Sequence, residues 1–290
     1  MANTIALAKN YTSILDEVYK KASVTADLTS DNTMVRAGAN ANEIVYPQIS
    51  VSGLGDYDRN SGYTNGSVNL EWKTATFNYD RGTKISVDVM DNEESRDIAF
   101  TMAGSELIRT KVAPEADAFV FATLAGKTGI SKATPETYAD ATAFLTALIE
   151  AKNTMDEDEV PEEGRILYAT PTLLNGVMAL DTTKSREVLA TFSKTVKVPQ
   201  SRFYTAIDLL DGKTSGEEAG HYAKASTGKD INFMIVHKPA VIKFDKHTAS
   251  DIIPASANAN ADADISKYRK YGIVDVYDNK VAGIYLSHKA

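Results

Sequence analysis

The residues that could do chemistry are few, and their spacing does not suit it. Among 290 residues there is no Cys, which removes thiolate nucleophiles, thiolate metal sites and disulfides together. The four histidines, His221, His237, His247 and His288, form no i, i+4 pair and no short ligand spacing. Gly126-Lys127-Thr128 suggests a phosphate loop, but that motif needs a glycine five residues before its last one, and position 121 is Phe. Gly212-Lys213-Thr214 fails likewise, with Ile at 207. Both triplets read as helix-end or turn residues. The acidic run from Asp156 to Glu163 would make a calcium loop only with Gly in sixth place, where Pro161 stands, so it reads as a solvated turn. Neither G-x-S-x-G nor G-x-G-x-x-G occurs. The sequence therefore predicts no catalytic residue, no cofactor and no metal ligand.

What remains is adhesive rather than reactive. Arg59 lies between Tyr57 and Tyr63 in a glycine-punctuated stretch, and Arg and Tyr are the types that anchor protein contacts. Trp72, the only Trp, reads as a packing residue. Tyr11 and Leu15 lie on the apolar side of an N-terminal amphipathic pattern over about 4 to 27, which also carries Leu7, Ile14, Val18 and Tyr19. With 31 Lys plus Arg against 39 Asp plus Glu, the net charge of −8 argues against gripping nucleic acid over the whole surface. No run approaches the ~18 apolar residues of a membrane span, and Met1 to Lys9 lacks the order of a signal peptide. The expectation is a soluble chain made in the cytoplasm, long enough to bury a core without staples.

The elements that position these residues follow from periodicity. Residues 44 to 90 read as β: Ile44 to Val51, with Pro47 at an edge or bend, then Val68 to Tyr79 anchored by Leu70, Trp72 and Phe77, then an alternating Ile85, Val87, Val89. The loop from Gly53 to Gly66 joins the first two as a long hairpin. A long helix over about 96 to 126 follows, with Asp91, Asn92 and Ser95 as cap candidates and a stripe of Ile98, Met102, Ile108, Val112, Ala116 and Phe119. Pro114 should kink or interrupt it. A second helix covers about 137 to 155, Arg165 to Ala169 is a buried strand, and Thr170-Pro171 opens another helix. Residues 181 to 229 are polar and poorly periodic. Strands return at 231 to 236, 241 to 244 and 252 to 253, and Tyr271 to Leu286 reads as a hairpin turning at Asp278-Asn279-Lys280.

In that order the parts resemble the major capsid protein of tailed bacteriophages, with its HK97-type fold. Glu115-Ala116-Asp117-Ala118-Phe119 running to Gly126 is similar to the end of that family's long helix. Lys246 through Ile252-Ile253-Pro254, Tyr268-Arg269-Lys270-Tyr271 and Asn279-Lys280-Val281-Ala282-Gly283-Ile284-Tyr285 are similar to its closing strands. The resemblance implies an α+β fold. Residues 1 to 35 would be an N-terminal arm, and 36 to 95 an extended loop hairpin with peripheral-domain strands. Residues 96 to 127 would be the spine helix, 128 to 240 an axial domain, and 241 to 290 the return to the peripheral sheet. It also implies a structural, non-enzymatic protein of the virion capsid, assembled in the bacterial cytoplasm through pentamers and hexamers into an icosahedral shell around double-stranded DNA. Its partners would be itself and scaffold, portal and decoration proteins, with only non-specific proximity to DNA. Tyr57, Arg59, Tyr63, Trp72, Tyr11 and Leu15 are then the inter-subunit contact candidates. Lys73 and Lys84 lie where some family members form an isopeptide crosslink, but nothing marks either as reactive and none is predicted. The alternatives are an encapsulin-like compartment shell and, in another class, an α/β enzyme with 181 to 229 as its lid.

Overall fold

The computed structural model describes residues 23–30, 36–37, 42–60, 62–94, 104 and 106–290. The N-terminal pattern with Tyr11 and Leu15, and the expected helix from 96 to 103, lie outside the described residues. The chain divides into two units, residues 31–78 and residues 1–30 with 79–290.

The smaller unit is a three-stranded antiparallel sheet in the order β1 (Arg36–Ala37), β2 (Glu43–Val51), β3 (Val68–Thr76). Among the described residues β1 pairs with Ile44 and Val45 of β2, and Pro47 pairs with Trp72 of β3. A residue without an N–H fits there.

The larger unit is built on a five-stranded sheet, β5 (Ser131–Lys132), β13 (Ile284–His288), β10 (Ile231–His237), β6 (Arg165–Ala169) and β7 (Lys194–Lys197), in that spatial order. β10 and β6 are buried along their whole length because both faces are covered. One face sends Ile166, Tyr168, Met234, Val236, Ile284 and Leu286 against Phe121 and Leu124 of helix α2 (Ala113–Gly126). The other sends Leu167, Ala169, Phe233, Ile235 and Tyr285 against α3 (Ala141–Glu157) and α4 (Pro171–Ala179). The alternation of strand side chains thus sorts one sheet into two cores. α3 starts where Asp140 caps it, its carboxylate accepting from the Ala143 amide at 2.8 Å. It buries Phe144, Leu145, Leu148, Ala151 and Met155 on one face.

A second sheet joins β11 (Val241–Ile253), β12 (Ala263–Val276) and β4 (Tyr79–Asp88), all antiparallel with β12 central. Strands of 13 and 14 residues replace the separate short runs expected from sequence. The exposed polar run Asp245 to Thr248 hid the continuity of β11, and a register shift between Asp245 and His247 carries the strand through it. The expected hairpin over 271 to 286 does not form. β12 and β13 belong to different sheets, joined by the 3-10 stretch Asp278–Gly283. Gly283 is required there, since a Cβ would stand 2.8 Å from that of Ala240.

Two helical expectations are also corrected. Asp91 and Asn92 lie inside the short helix α1 (Val89–Glu94) rather than capping a later one, and Asp88 accepts from the Met90 amide at 2.9 Å at its start. Pro114, expected to kink or interrupt the long helix, stands just after a break in its α-helical pattern. A π-helical stretch, Ile108–Val112, precedes α2, and the Ala113 amide bonds back to the Ile108 carbonyl. That wider turn accommodates the missing N–H and the ring of Pro114. α2 does not carry a single stripe: Ala113, Glu115, Ala116, Asp117, Ala118, Val120, Phe121, Leu124 and Ala125 are all buried, while the expected Phe119 is only partly so. Residues 181 to 229 are more ordered than their composition suggests. They hold α5 (Thr183–Ala190) with a Thr182/Ser185 capping box, strand β7 parallel to β6, and the small hairpin β8 (Ile207–Leu209)–β9 (Tyr222–Lys224).

Candidate functional site

In the outer half of the β2–β3 hairpin one face is apolar and exposed, while the opposite face is apolar only at the base. The register pairs Pro47 with Trp72, Ile49 with Leu70 and Val51 with Val68. Because registered residues of a ladder point the same way, these six side chains form one ribbon. The alternate residues Gln48 and Ser50, opposite Glu71 and Asn69, occupy the other face. Glu71 binds Asn69 at 2.9 Å and Lys73 at 3.1 Å, which holds its carboxyl below the usual range. Among the described residues the ribbon is exposed: Trp72 48%, Leu70 54%, Ile49 64%, Val68 68%, Val51 69%. Trp72, read from its type as a packing residue, keeps about half of its surface exposed. Only the base of the ladder is buried, at Ile44, Tyr46 and Ala75.

The loop beyond is shaped rather than slack. Ser52 and Ser67 close its base through the Ser52 amide to the Ser67 carbonyl at 2.9 Å, and the Ser67 amide to Ser52 Oγ at 2.8 Å. At the tip Asp58 and Gly62 exchange backbone hydrogen bonds of 3.2 and 2.7 Å, with Gly62 at φ +81°, a conformation that favours glycine. This turn brings the rings of Tyr57 and Tyr63 to 4.8 Å between centroids. Both rings are exposed, as are Arg59 and Leu54. The structure thus brings Tyr57, Arg59 and Tyr63 together at one tip, and places Trp72 on the ribbon of the same hairpin.

In the larger unit lie two polar clusters that motif reading passed over. Asp117, with no exposed surface, accepts from Ser23 Oγ (2.8 Å), the Val24 amide (3.0 Å), the Thr25 amide (3.2 Å) and Thr25 Oγ1 (2.8 Å). Arg202 stands 3.1 Å away. Lys243 donates to the Thr25 carbonyl and to Thr25 Oγ1. Two residues along the chain, Glu115 accepts from Arg81 Nε at 2.8 Å and from the Tyr79 hydroxyl at 3.1 Å. Burial pushes the Glu115 carboxyl up, but His221 and Arg81 outweigh it and hold it below its ordinary value. His221 Nδ1 lies 3.6 Å from Glu115 Oε2, beyond hydrogen-bond distance. Arg81 Nη2 also donates to the Leu210 and His221 carbonyls, so it ties β4, α2 and the β8–β9 hairpin together. The available signal was two carboxylates set into an otherwise apolar helix, since a buried charge requires partners.

The remaining motif residues sit where turns need them. Lys127 follows α2 and pairs with Asp275 and Asp278, each at 3.0 Å. Asp211 caps its own turn by accepting from the Lys213 and Thr214 amides, which brings its carboxyl down to about 2. Arg165, almost fully buried, pins the acidic turn from beneath through Asp156 at 2.7 Å and the carbonyls of Val160 and Pro161.

Neither a family model nor a curated protein sequence matches the chain. Solved structures do. The capsid of cyanophage P-SCSP1u is 15% identical, with 93% of this chain and 88% of that one covered at a TM-score of 0.59. The mature capsid of bacteriophage PhiM1 is 13% identical, covering 88% and 84% at 0.60. A virus-like particle from Pyrococcus furiosus is 9% identical, covering 97% and 99% at 0.60. Likeness at these identities is a likeness of fold, and on it the chain has the HK97-type fold of the tailed-phage major capsid proteins.

Proposed function

We propose that this chain is a structural shell protein, a major capsid protein that self-assembles through pentamers and hexamers into an icosahedral shell enclosing double-stranded DNA. One observation carries the reading furthest: an apolar ribbon on the outer β2–β3 ladder, Pro47, Ile49, Val51, Val68, Leu70 and Trp72, whose side chains apart from Pro47 are about half or more exposed among the described residues. Ordering such a hairpin costs roughly 1–2 kcal/mol of backbone entropy per residue with little burial in return. A neighbouring copy supplies the missing surface, and modest contacts repeated by closed symmetry add up to a stable shell. The sequence segments take their places accordingly, as arm (1 to 35), extended loop and strands (36 to 95), spine helix (96 to 127), axial domain (128 to 240) and peripheral sheet (241 to 290). β13 is the strand of the last segment that pairs into the five-stranded sheet instead. Tyr57, Arg59, Tyr63 and Trp72 are contact residues on the hairpin, and Tyr11 and Leu15 on the arm. Scaffold, portal and decoration proteins are the expected partners, and the virion capsid the expected location, after assembly in the bacterial cytoplasm. Sedimentation velocity with negative-stain microscopy on the purified chain tests this. Closed shells, or rings of five and six, are expected, whereas a monomer that stays monomeric with its scaffold or in crowding agents overturns it.

The fold likeness to the Pyrococcus furiosus particle, over nearly the full length of both chains, supports a second reading as an encapsulin-like compartment shell. Mass spectrometry of particles purified from the native host separates the two. Enclosed DNA supports the capsid, and an enclosed enzyme supports the compartment.

A further inference from the structure

Residues 23–30 are held to the larger unit almost wholly by polar groups. Among them Leu28 is the buried apolar side chain, and Val24 packs only in part. The rest of the hold is the Asp117 cage, Lys243 Nζ on Thr25, the Ser30 amide on the Lys243 carbonyl with the Lys243 amide on Ser30 Oγ, and the exposed Asp27–Lys194 pair. A segment attached in this way is sensitive to one charge, because Arg202 and Lys243 both face Asp117 from partly or fully buried positions.

We propose that Ser23–Ser30 is a separable strap, closed over α2 and β11 by the Asp117 cage, which opens while the five-stranded sheet stays folded and whose closure is coupled to the proton on Lys243. The groups facing Lys243 come from every side: Asp117 on α2, Asp245 on β11, Lys270 on β12 and Asp27 on the strap itself. Arg202 and Lys194 act through their carboxylate partners. Burial first, then Lys270, brings the Lys243 ammonium down to about 8, against the pull of the three aspartates. Opening the strap returns water to Lys243 and restores it toward the ordinary 10.5, so the open form holds the proton more tightly. Closure is therefore weakest below about pH 8 and strengthens as pH rises from there toward 10.5.

Hydrogen exchange read by mass spectrometry on the full-length chain tests the proposal, and it rests on no assumption about shells because a monomer and a particle both give the readout. In the wild type, peptides over 23–30 are expected to exchange at least tenfold faster than β10, yet slower than an unstructured segment. Asp117→Asn is expected to remove the strap's protection and leave α3 and β10 unchanged. Protection of the strap, corrected for the intrinsic rate, is expected to rise between pH 7 and 10 in the wild type and stay flat in Lys243→Met. Wild-type exchange of the strap at the same rate as β10 overturns separability, even if Asp117→Asn fails to fold. A strap equally protected in Asp117→Asn overturns the cage, and a pH response that persists in Lys243→Met overturns the coupling.

Discussion

Similar residues behave in opposite ways in the two units. Ile166, Leu167, Phe233 and Ile235 lie on strands of the five-stranded sheet and are all but sealed from water, between α2 on one face and α3 and α4 on the other. Ile49, Leu70 and Trp72 lie on strands with a nine-pair register and are 64%, 54% and 48% exposed. Strand propensity and register do not distinguish the two regions. The availability of a second layer does: a sheet needs another element on each apolar face, and among the described residues of its own unit the hairpin has none. An exposed apolar face on a well-formed ladder is what the proposed contact between copies would use.

The largest effect on stability should come from the sealed side of this comparison. Phe233 packs against Phe144, Tyr285 and Tyr138 at centroid distances of 5.5, 6.0 and 6.3 Å. Phe233→Ala is expected to lower unfolding free energy by about 3–5 kcal/mol, read as a drop in the urea midpoint at unchanged slope. A loss under about 1 kcal/mol would mean that the α3–α4 layer is not the tight core described.

Next in size is the polar clamp. Arg81→Leu removes the partner of Glu115 and leaves a carboxylate in a largely buried place, at an expected cost of about 2 kcal/mol, below the fully buried case because Arg81 is itself a quarter exposed. The pH dependence has a definite sign. Glu115 is held below 4.5 in the folded chain, so its contribution is complete above that value and is lost as pH falls through the lowered one. Acid unfolding followed by circular dichroism should therefore begin at higher pH in Glu115→Gln's reference, the wild type, than in the variant once their neutral-pH stabilities are matched. An identical acid limb in both would remove Glu115 from the account.

Smaller again is the cap of α3. Asp140→Ala should cost about 1 kcal/mol, with Asp140→Asn restoring most of it. Equal losses in the two variants would show that charge, not the hydrogen bond to Ala143, is what matters.

How much of this was legible in the sequence depends on whether the information was local. The α3 face, the β6 strand and the Pro171 start are local patterns, and all three form as read. The β2–β3 hairpin was also legible, since its strands alternate and its glycines fall between them. What failed depended on distant partners. Asp278-Asn279-Lys280 looks like a hairpin turn, yet β12 finds β4 and β11 while β13 finds β10, nearly fifty residues back. The stripe read for the long helix does not hold in α2, which is buried on several sides. The Asp117 cage draws on residues near 24, 117, 202 and 243, and no spacing rule joins them. At the hairpin, residue types gave Tyr57, Arg59 and Tyr63 as adhesive, but only the register shows that Ile49 and Leu70 share a face with Trp72.

The open side of the comparison yields the smallest effect on stability and the clearest effect on assembly. Ile49→Ser with Leu70→Ser removes apolar groups that water already reaches, so the unassembled chain should keep its unfolding free energy within about 0.5 kcal/mol. The same change deletes the centre of the ribbon, where each side chain covered by a neighbour would contribute roughly 1.5–3 kcal/mol per copy, multiplied over every copy in a shell. The variant should therefore fold as well as the wild type and sediment as small species. Trp72 reports on the same step without perturbing it, because it is the only tryptophan and sits on the ribbon at 48% exposure. Its emission should be that of a wet indole in the unassembled chain and shift to the blue as particles form. Particles that form while Trp72 stays wet would place the contact elsewhere, and the open ribbon would then have to be explained by something other than a second copy.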